Sequence, residues 1–427
     1  MLEQLTAELR LLILHELKPA ALANVPATCK LWRAFVVHYF AARLRLGADL
    51  RNAIAPAGHP RLSRLQHTPV LITVGGYNTR WNGHAWCDMS EDGPGCERSA
   101  EVVCTLEAAE CSWCGVGADW QQPPPMSQRR ADCALVADCP SIVYAIGGRE
   151  GGEAQRSVES LRLSHWQLYG EGWSAEPPLQ HARYGHVGAR LGDALFAAGG
   201  GHHHTLAQDG TRVQCTAEML RLDAAPGERT WQLLPRMRRR RSYAASAVVH
   251  GEWYVMGGVA GGSSQRVEVF HPGVGEWRDE APMSCSRYAA AAATYCGAVL
   301  VIGGCHAHEP LASSAEYLDP RAAHMGWRPL HLSYGVKELQ GAAAVVHGDS
   351  LFVLGGAWPT AYHDEGPGRS SRVVRIFDLR RPGLVSQEVE NFEAPVEVGH
   401  LSGAMANAAQ MRVPRWCGAA CVVHMAC

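Results

Sequence analysis

Short apolar runs separated by turn-forming residues recur along most of this chain. The stretch from Ser242 to Met283 predicts four β-strands, because its apolar residues either alternate or form brief β-branched runs. These strands are Ala247 to His250, Trp253 to Met256, Val267 to Phe270, and a last strand from Trp277 to Pro282. A unit of this size cannot bury its apolar face alone, so it needs copies beside it.

A glycine doublet after an apolar run marks those copies. The doublets are Gly75/Gly76, Gly147/Gly148, Gly199/Gly200, Gly257/Gly258, Gly303/Gly304 and Gly355/Gly356. The first glycines of successive doublets are 46 to 72 residues apart. A tryptophan begins the last strand of five units, and the sixth unit lacks it; these residues are Trp120, Trp173, Trp231, Trp277 and Trp327. Six doublets in register with strands predict a repeat architecture.

The two ends of the repeat region predict how it closes. Residues 61–69 contain no small-residue strand like the one that opens the unit at Ser242. Such a strand appears instead at the far end, in RWCGAACVVHM from Arg415 to Met425. We therefore expect the C-terminal strand to complete the first sheet, which removes the exposed edges that an open array would carry.

The doublets, the strands after them and the tryptophans resemble the kelch repeat. The resemblance implies an all-β fold: a six-bladed kelch β-propeller over residues 68–427, with four strands in each blade and closure by the C-terminal strand. The glycines suit this arrangement because they allow a positive φ and a close approach between blades. The tryptophans would supply rigid apolar surface between blades.

The N-terminal residues predict a small helical domain over residues 1–48, followed by a linker over residues 49–67. Leu5, Leu9, Ile13 and Leu17 fall near one helical face, and Pro19 ends the helix. The segment resembles an F-box, on markers that include Leu5, Glu8, Leu9, Ile13, Leu17, Pro19, Leu22, Cys29, Lys30, Trp32 and Arg33. It departs from the family pattern at Thr6, Lys18, Pro26 and Thr28.

The F-box resemblance implies a ligase role. Proteins of that family dock through these helices onto the adaptor subunit of a cullin-RING (SCF-type) ubiquitin ligase, while their repeat domain selects the substrate. The adaptor-binding residues would be Leu5, Leu9, Ile13, Leu17, Pro19, Leu22, Cys29 and Trp32. The alternatives are a protein-interaction scaffold whose helices pack internally, and a metal-dependent oxidase or lyase propeller.

Arginines occupy the links between predicted blades. In an antiparallel four-stranded blade, these links emerge on the same side as the loops that follow the doublets. The predicted substrate-binding residues are Arg130, Arg183, Arg238, Arg239, Arg240, Arg241 and Arg287. Guanidinium groups on such a rim would suit an acidic or phosphorylated segment. Structural or solvated arginines, and a nuclear localisation patch at residues 236–241, are the alternatives.

Composition narrows the class of protein. A net charge of -2 and a pI of about 6.9 argue against a general nucleic-acid binder or a membrane-steered protein. No uninterrupted apolar run is long enough for a membrane span, and the charged N-terminal helix fits a signal peptide badly. The odd number of cysteines, 15, favours reduced thiols and a cytoplasmic or nuclear location.

The sequence gives little support for a metal site or a catalytic site. His84, Cys87, Cys96, Cys104 and the Cys111/Cys114 pair have ligand-like spacings in part, so zinc remains an alternative in the first blade. His202 to His204 fit solvated side chains better than a metal site. No phosphate loop, nucleophile elbow or zinc-protease helix occurs. We therefore expect a non-catalytic receptor with no cofactor and no metal.

Overall fold

The computed structural model describes most of the repeat region. The described residues are 67–76, 79–81, 86–88, 98–104, 122–138, 142–150, 153–163, 172–202, 213–306, 309–310, 314–331, 340–357, 371–379, 410–415 and 419–426. Pro69–Met425 forms one compact unit. The predicted helical domain and all its adaptor-binding residues lie outside the described residues, as does the predicted linker up to residue 66.

The described part of the chain is built from β-strands. The first ten are β1 (His67–Val74), β2 (Thr79–Trp81), β3 (Trp86–Asp88), β4 (Ala100–Cys104), β5 (Ala134–Asp138), β6 (Ile142–Ile146), β7 (Arg149–Glu150), β8 (Glu153–Ala154), β9 (Val158–Arg162) and β10 (Ser174–Glu176). The next eight are β11 (Val187–Leu191), β12 (Ala194–Ala198), β13 (Ala217–Arg221), β14 (Trp231–Leu234), β15 (Ala245–Val249), β16 (Glu252–Met256), β17 (Val267–His271) and β18 (Glu276–Glu280).

The remaining strands complete the repeat region. They are β19 (Ala291–Tyr295), β20 (Ala298–Ile302), β21 (Cys305–His306), β22 (Glu309–Pro310), β23 (Ser314–Leu318), β24 (Arg328–His331), β25 (Gln340–His347), β26 (Ser350–Ala357), β27 (Ser371–Asp378), β28 (Gln410–Arg415) and β29 (Ala419–Ala426). Two short 3-10 helices, Pro226–Glu228 and Pro320–Met325, precede the fourth strands β14 and β24.

The predicted four-stranded unit at the centre of the chain is confirmed. Strands β15 to β18 pair in sequence order, and all three pairings are antiparallel. Along β15 alternate residues are buried, whereas β16 is buried from Trp253 to Met256 because neighbouring sheets cover it. The last strand ends at Glu280, before the predicted Pro282, because proline has no N–H for the ladder.

The same order recurs in four more sheets, and the fold is an all-β propeller. The sheets are β10-β9-β6-β5, β11 to β14, β19-β20-β23-β24, and β25 to β28. A three-stranded sheet, β29-β1-β4, joins the last described strand to the first, as the sequence predicts. First strands of consecutive sheets, such as β15 and β19, lie next to one another, which is the arrangement of blades around an axis.

The apolar core lies between the sheets. One cluster joins Ala247 and Val269 of one sheet to Val301 of the next. The predicted role of the repeat tryptophans is also confirmed, because Trp231, Trp277 and Trp327 pack in apolar clusters that join neighbouring sheets. The indole N–H of each described tryptophan at or just before the start of a fourth strand donates to a backbone carbonyl of the chain before its own sheet or of the preceding sheet. The acceptors are Pro124 for Trp173 (2.9 Å), Pro177 for Trp231 (2.9 Å), Pro235 for Trp277 (3.0 Å) and Ala281 for Trp327 (2.8 Å).

The glycine doublets join neighbouring sheets. Gly257 has φ +66°, and a Cβ there would lie 2.3 Å from the carbonyl oxygen of Arg287. The N–H of Gly258 donates to that same oxygen at 2.8 Å. A larger residue at Gly257 would therefore collide with the bond that ties one sheet to the next.

Candidate protein-binding face

The links between sheets and the loops after the doublets lie on one side of the propeller. Single β-bridges join Tyr184 to Gly201, Ser242 to Val259, and Tyr288 to Cys305. Each bridge pairs a link residue with the residue that follows a doublet. The predicted common face is thereby confirmed, and we call this side the loop face.

Four of the predicted substrate-binding arginines are buried, which corrects their predicted role. Each guanidinium forms an ion pair with a glutamate in the third strand of its sheet, and no partner in any pair is more than 3% exposed. Each also donates to the carbonyl of a doublet's first glycine at 2.7–2.9 Å. The guanidinium groups are buried inside the sheets, so a ligand cannot reach them. The pairs are Arg130–Glu159 (2.7 Å), Arg183–Glu218 (2.8 Å), Arg241–Glu268 (2.6 Å) and Arg287–Glu316 (2.7 Å).

These ion pairs also affect the pKa values of the buried side chains that form them. Burial alone would raise the pKa of Glu159, but hydrogen bonds from Ser127 and Arg130 outweigh it and lower that pKa. Burial lowers the pKa of Arg183 and of Arg241, while the paired glutamates oppose that change. The arginines therefore have a structural role, which is one of the alternatives to ligand binding that the sequence allows.

The glutamates were the missed partners of these arginines. Each lies at the same position of its repeat, in the segments VESLR, AEMLR, VEVFH and SAEYL. Its second oxygen accepts a backbone N–H from the residue three before the arginine, at 2.6–2.8 Å. An acidic residue in register with an arginine in four repeats is a signal that the sequence contains.

Arg238, Arg239 and Arg240 are exposed on the loop face, unlike Arg241 in the same link. The Arg238 side chain is 57% exposed, and its Nη1 lies 3.2 Å from Asp279. Arg240 Nη1 lies 3.5 Å from the carbonyl oxygen of Val213, at the edge of the neighbouring loop. These three predicted residues thus lie on the surface of the propeller.

A chain of backbone hydrogen bonds connects the links near the first strands. Gly185 donates to Asp132, Tyr243 to Gly185, Ala289 to Tyr243, and Gly341 to Ala289, over 2.6–2.8 Å. All five residues have φ between +52° and +65°. A left-handed backbone conformation is costly for a residue with a Cβ. The hydrogen bonds to neighbouring links hold Asp132, Tyr243 and Ala289 in that conformation.

An aromatic and charged cluster lies on this chain of bonds. Tyr243 Oη donates to Asp132 Oδ2 at 3.1 Å, across the intervening Gly185. A Cβ on Gly185 would be 3.2 Å from the Tyr243 ring, so glycine leaves room for the tyrosine. Arg149 Nε lies 2.7 Å from the same Asp132 oxygen, and its guanidinium stacks 4.7 Å above Tyr184. The cluster ties three sheets together.

Buried His186 lies beside this cluster. A Cβ added at Gly147 would lie 2.9 Å from Cε1 of the His186 ring. Burial and the nearby charges of Arg183 and Arg130 lower its pKa to about 3, so the imidazole is neutral at physiological pH. The neutral ring fills space between two doublets.

The candidate zinc residues are only partly described. Cys87 and Cys104 lie in strands β3 and β4, while His84, Cys96, Cys111 and Cys114 lie outside the described residues. His202 contacts Gln214 through Nδ1 at 2.9 Å, and His203 and His204 are not described. Within the described part of the chain, no three His, Cys, Asp or Glu side chains are grouped to hold a metal. No helix among those residues could cross a membrane.

Comparison with known proteins identifies the repeat. A family described as "Kelch motif" matches residues 240–284, which contain strands β15 to β18. The chain carries a kelch motif. Taken with kelch-like relatives, this match supports a kelch-repeat protein.

The relatives are distant and longer. Beta-scruin of Limulus polyphemus is 23% identical over 232 residues, which are 51% of this chain and 24% of that protein. Kelch-like protein 40 of Xenopus laevis is 23% identical over 211 residues, 49% of this chain and 32% of the relative. Kelch-like protein 40 of Mus musculus is 25% identical over 187 residues, which are 44% of this chain and 28% of that protein. The kelch similarity thus spans less than a third of each relative.

Proposed function

We propose that this kelch-repeat protein is the substrate receptor of a cullin-RING ubiquitin ligase. Residues 1–48 would dock onto the adaptor subunit and, through it, onto a cullin. The propeller would capture the protein to be ubiquitinated, in the cytoplasm or nucleus. The protein itself would have no catalytic role and need no cofactor.

The order of the N-terminal markers carries this proposal. Leu5, Leu9, Ile13 and Leu17 form one apolar helical face, and Trp32 follows in the second predicted helix. A helical segment this short cannot bury a core of its own and favours a protein partner. Kelch propellers are protein-interaction modules, which suits the second half of the role.

We infer that the propeller is a closed ring of six blades. Five four-stranded sheets and the three-stranded sheet β29-β1-β4 would be those blades. Thr73 Oγ1 in β1 donates to the carbonyl of Ala419 in β29 at 3.1 Å, which supports closure by the C-terminal strand. A closed ring would present the loop face as one continuous rim.

Co-purification of the full chain with the ligase adaptor tests the receptor role. We compare the wild type with the double variant Leu9→Asp/Trp32→Ala, which removes two apolar anchors. Loss of well-buried anchors should weaken capture by roughly thirtyfold or more. The matched control is Leu233→Asp in β14, because Leu233 is 55% exposed on the propeller.

Capture by the wild type and the control, but not by the double variant, is the expected result. No capture by any of the three proteins would overturn the receptor role. Equal capture by all three would also overturn it, because the predicted helices would then be dispensable.

A scaffold without a ligase role is the second candidate. It is favoured by the family match, which lies wholly inside the propeller at residues 240–284. In that case the N-terminal helices would pack internally, and the loop face would still bind a protein. The adaptor experiment separates the two candidates.

A further inference from the structure

The four described links between sheets, which end in Arg130, Arg183, Arg241 and Arg287, have the same backbone course and can be compared with one another. Each contains an apolar residue, three variable residues and then the buried arginine. The apolar residues are Met126, Leu179, Met237 and Met283, and all four are buried. Because the backbone bonds of the four links match, their side chains can be compared position by position.

The fold places modest demands on the variable positions. The first variable residue must offer its backbone N–H to the buried glutamate, and Ser127, Gln180 and Ser284 do so at 2.7–2.8 Å. Arg238 makes the same backbone bond, at 2.6 Å, so its side chain is not required for it. The other two positions are Gln128 and Arg129, His181 and Ala182, Arg239 and Arg240, and Cys285 and Ser286 in the four links.

One link carries four arginines before its buried arginine, whereas the matching positions of the other three links contain one arginine, Arg129. Before the apolar residue, three links have Pro125, Pro178 or Pro282, and this link has Arg236. Arg236, Arg238, Arg239 and Arg240 are all exposed, and we call them the arginine strip. Glu268 beside them is already used by Arg241 and by the Arg238 backbone. Arg238 donates to the Trp277 carbonyl at 3.2 Å and pairs with Asp279 of the outer strand, and Arg240 lies 3.5 Å from the Val213 carbonyl oxygen. The four exposed guanidinium groups give the strip a positive charge.

We propose that the arginine strip binds an anionic segment of a partner protein. This inference rests on the proposed role of the propeller as the partner-binding part of the chain. Guanidinium groups in a row favour carboxylates or phosphates, which accept two parallel N–H bonds. A protein segment fits better than a nucleic acid, because the whole chain has a net charge of -2.

The anionic groups could come from acidic or phosphorylated residues, and one binding experiment distinguishes the sources. Fluorescence anisotropy on the full chain uses three labelled peptides of equal length, with glutamate, phosphoserine or glutamine alternating with glycine. The unlabelled peptides and a single-stranded oligonucleotide serve as competitors. Wild type should bind the glutamate peptide, the phosphoserine peptide or both, and should not bind the glutamine peptide. Added salt should weaken binding.

The variants take their side chains from the other links, so the fold should tolerate them. Arg239→Gln/Arg240→Ser introduces the residues found at Gln128 and Ser286, and should weaken binding about tenfold. The control Arg162→Gln/Arg221→Ser removes the same charge from the far ends of β9 and β13, away from the loop face. It should change affinity less than about twofold.

Three results would overturn the proposal: no binding of either anionic peptide, equal binding by both double variants, or stronger competition by the oligonucleotide than by unlabelled peptide. Adaptor capture is measured on the same proteins. Loss of peptide binding by the strip can therefore be distinguished from loss of adaptor binding. Arg239→Gln/Arg240→Ser should capture the adaptor as well as wild type does.

Discussion

Arg241 and Arg239 lie two residues apart in one link and have opposite environments. The Arg241 side chain is 2% exposed and pairs with Glu268 at 2.6 Å, whereas Arg239 is exposed on the loop face. The residue type is the same, so position in the repeat decides the role. The buried position joins the link to its own sheet, and the exposed position leaves the guanidinium at the surface, where we propose that it meets an anionic partner.

The largest effect should come from breaking a buried pair. Arg241→Gln would leave the Glu268 carboxylate buried without its guanidinium, which should cost about 3–5 kcal/mol of stability. Urea unfolding of the full chain measures it, with Arg240→Ser as the control in the same link. A loss below about 1 kcal/mol would contradict the structural role of Arg241.

The doublet that receives Arg241 should be nearly as sensitive. Gly257→Ala would combine a positive φ with a Cβ 2.3 Å from the Arg287 carbonyl oxygen, and should cost about 3 kcal/mol. The control is Gly251→Ala, where φ is +76° and no atom lies within 4 Å of the added Cβ. That change should cost about 1 kcal/mol. Equal losses in thermal unfolding would show that contact between sheets does not matter.

The buried pairs should also make stability depend on pH. The pKa of Glu159 is lowered from 4.5, so its contribution is complete above about pH 4.5 and is lost as pH falls through the folded-state pKa. Glu159→Gln cannot titrate, and should cost about 3 kcal/mol at neutral pH because it leaves the Arg130 guanidinium buried without a carboxylate. Unfolding of both proteins across acidic pH should show the difference narrowing below pH 4.5. A difference that stays constant there would refute the linkage.

The cluster near the first strands should contribute less. Tyr243→Phe removes the hydrogen bond to Asp132 and should cost about 1 kcal/mol, because the aromatic ring is kept. Thermal unfolding measures the change. Tyr254→Phe is the control, since its hydroxyl donates to Glu252, two residues away in the same strand, at 3.3 Å. A larger loss for Tyr254→Phe would contradict a bridging role for Tyr243.

Local repetition explains what the sequence could predict. The doublets, the strands and the tryptophans depend on residues that recur within each unit, so Gly257 and Trp277 were assigned correctly. The burial of Arg130 or Arg241 depends on a glutamate in a strand 27 to 29 residues further along the chain, so it follows from comparing the repeats with one another and not from the link sequence alone. The Tyr243–Asp132 bond joins residues 111 positions apart in different units, where no local pattern exists.

One paired measurement tests the division of roles within the link most directly. Urea unfolding and binding of the anionic peptides are measured on Arg241→Gln and on Arg239→Gln/Arg240→Ser. We predict that the first variant loses about 3–5 kcal/mol of stability, while the second stays within about 0.5 kcal/mol of wild type and loses binding about tenfold. A double variant that is strongly destabilised, or that binds as tightly as wild type, would contradict this account.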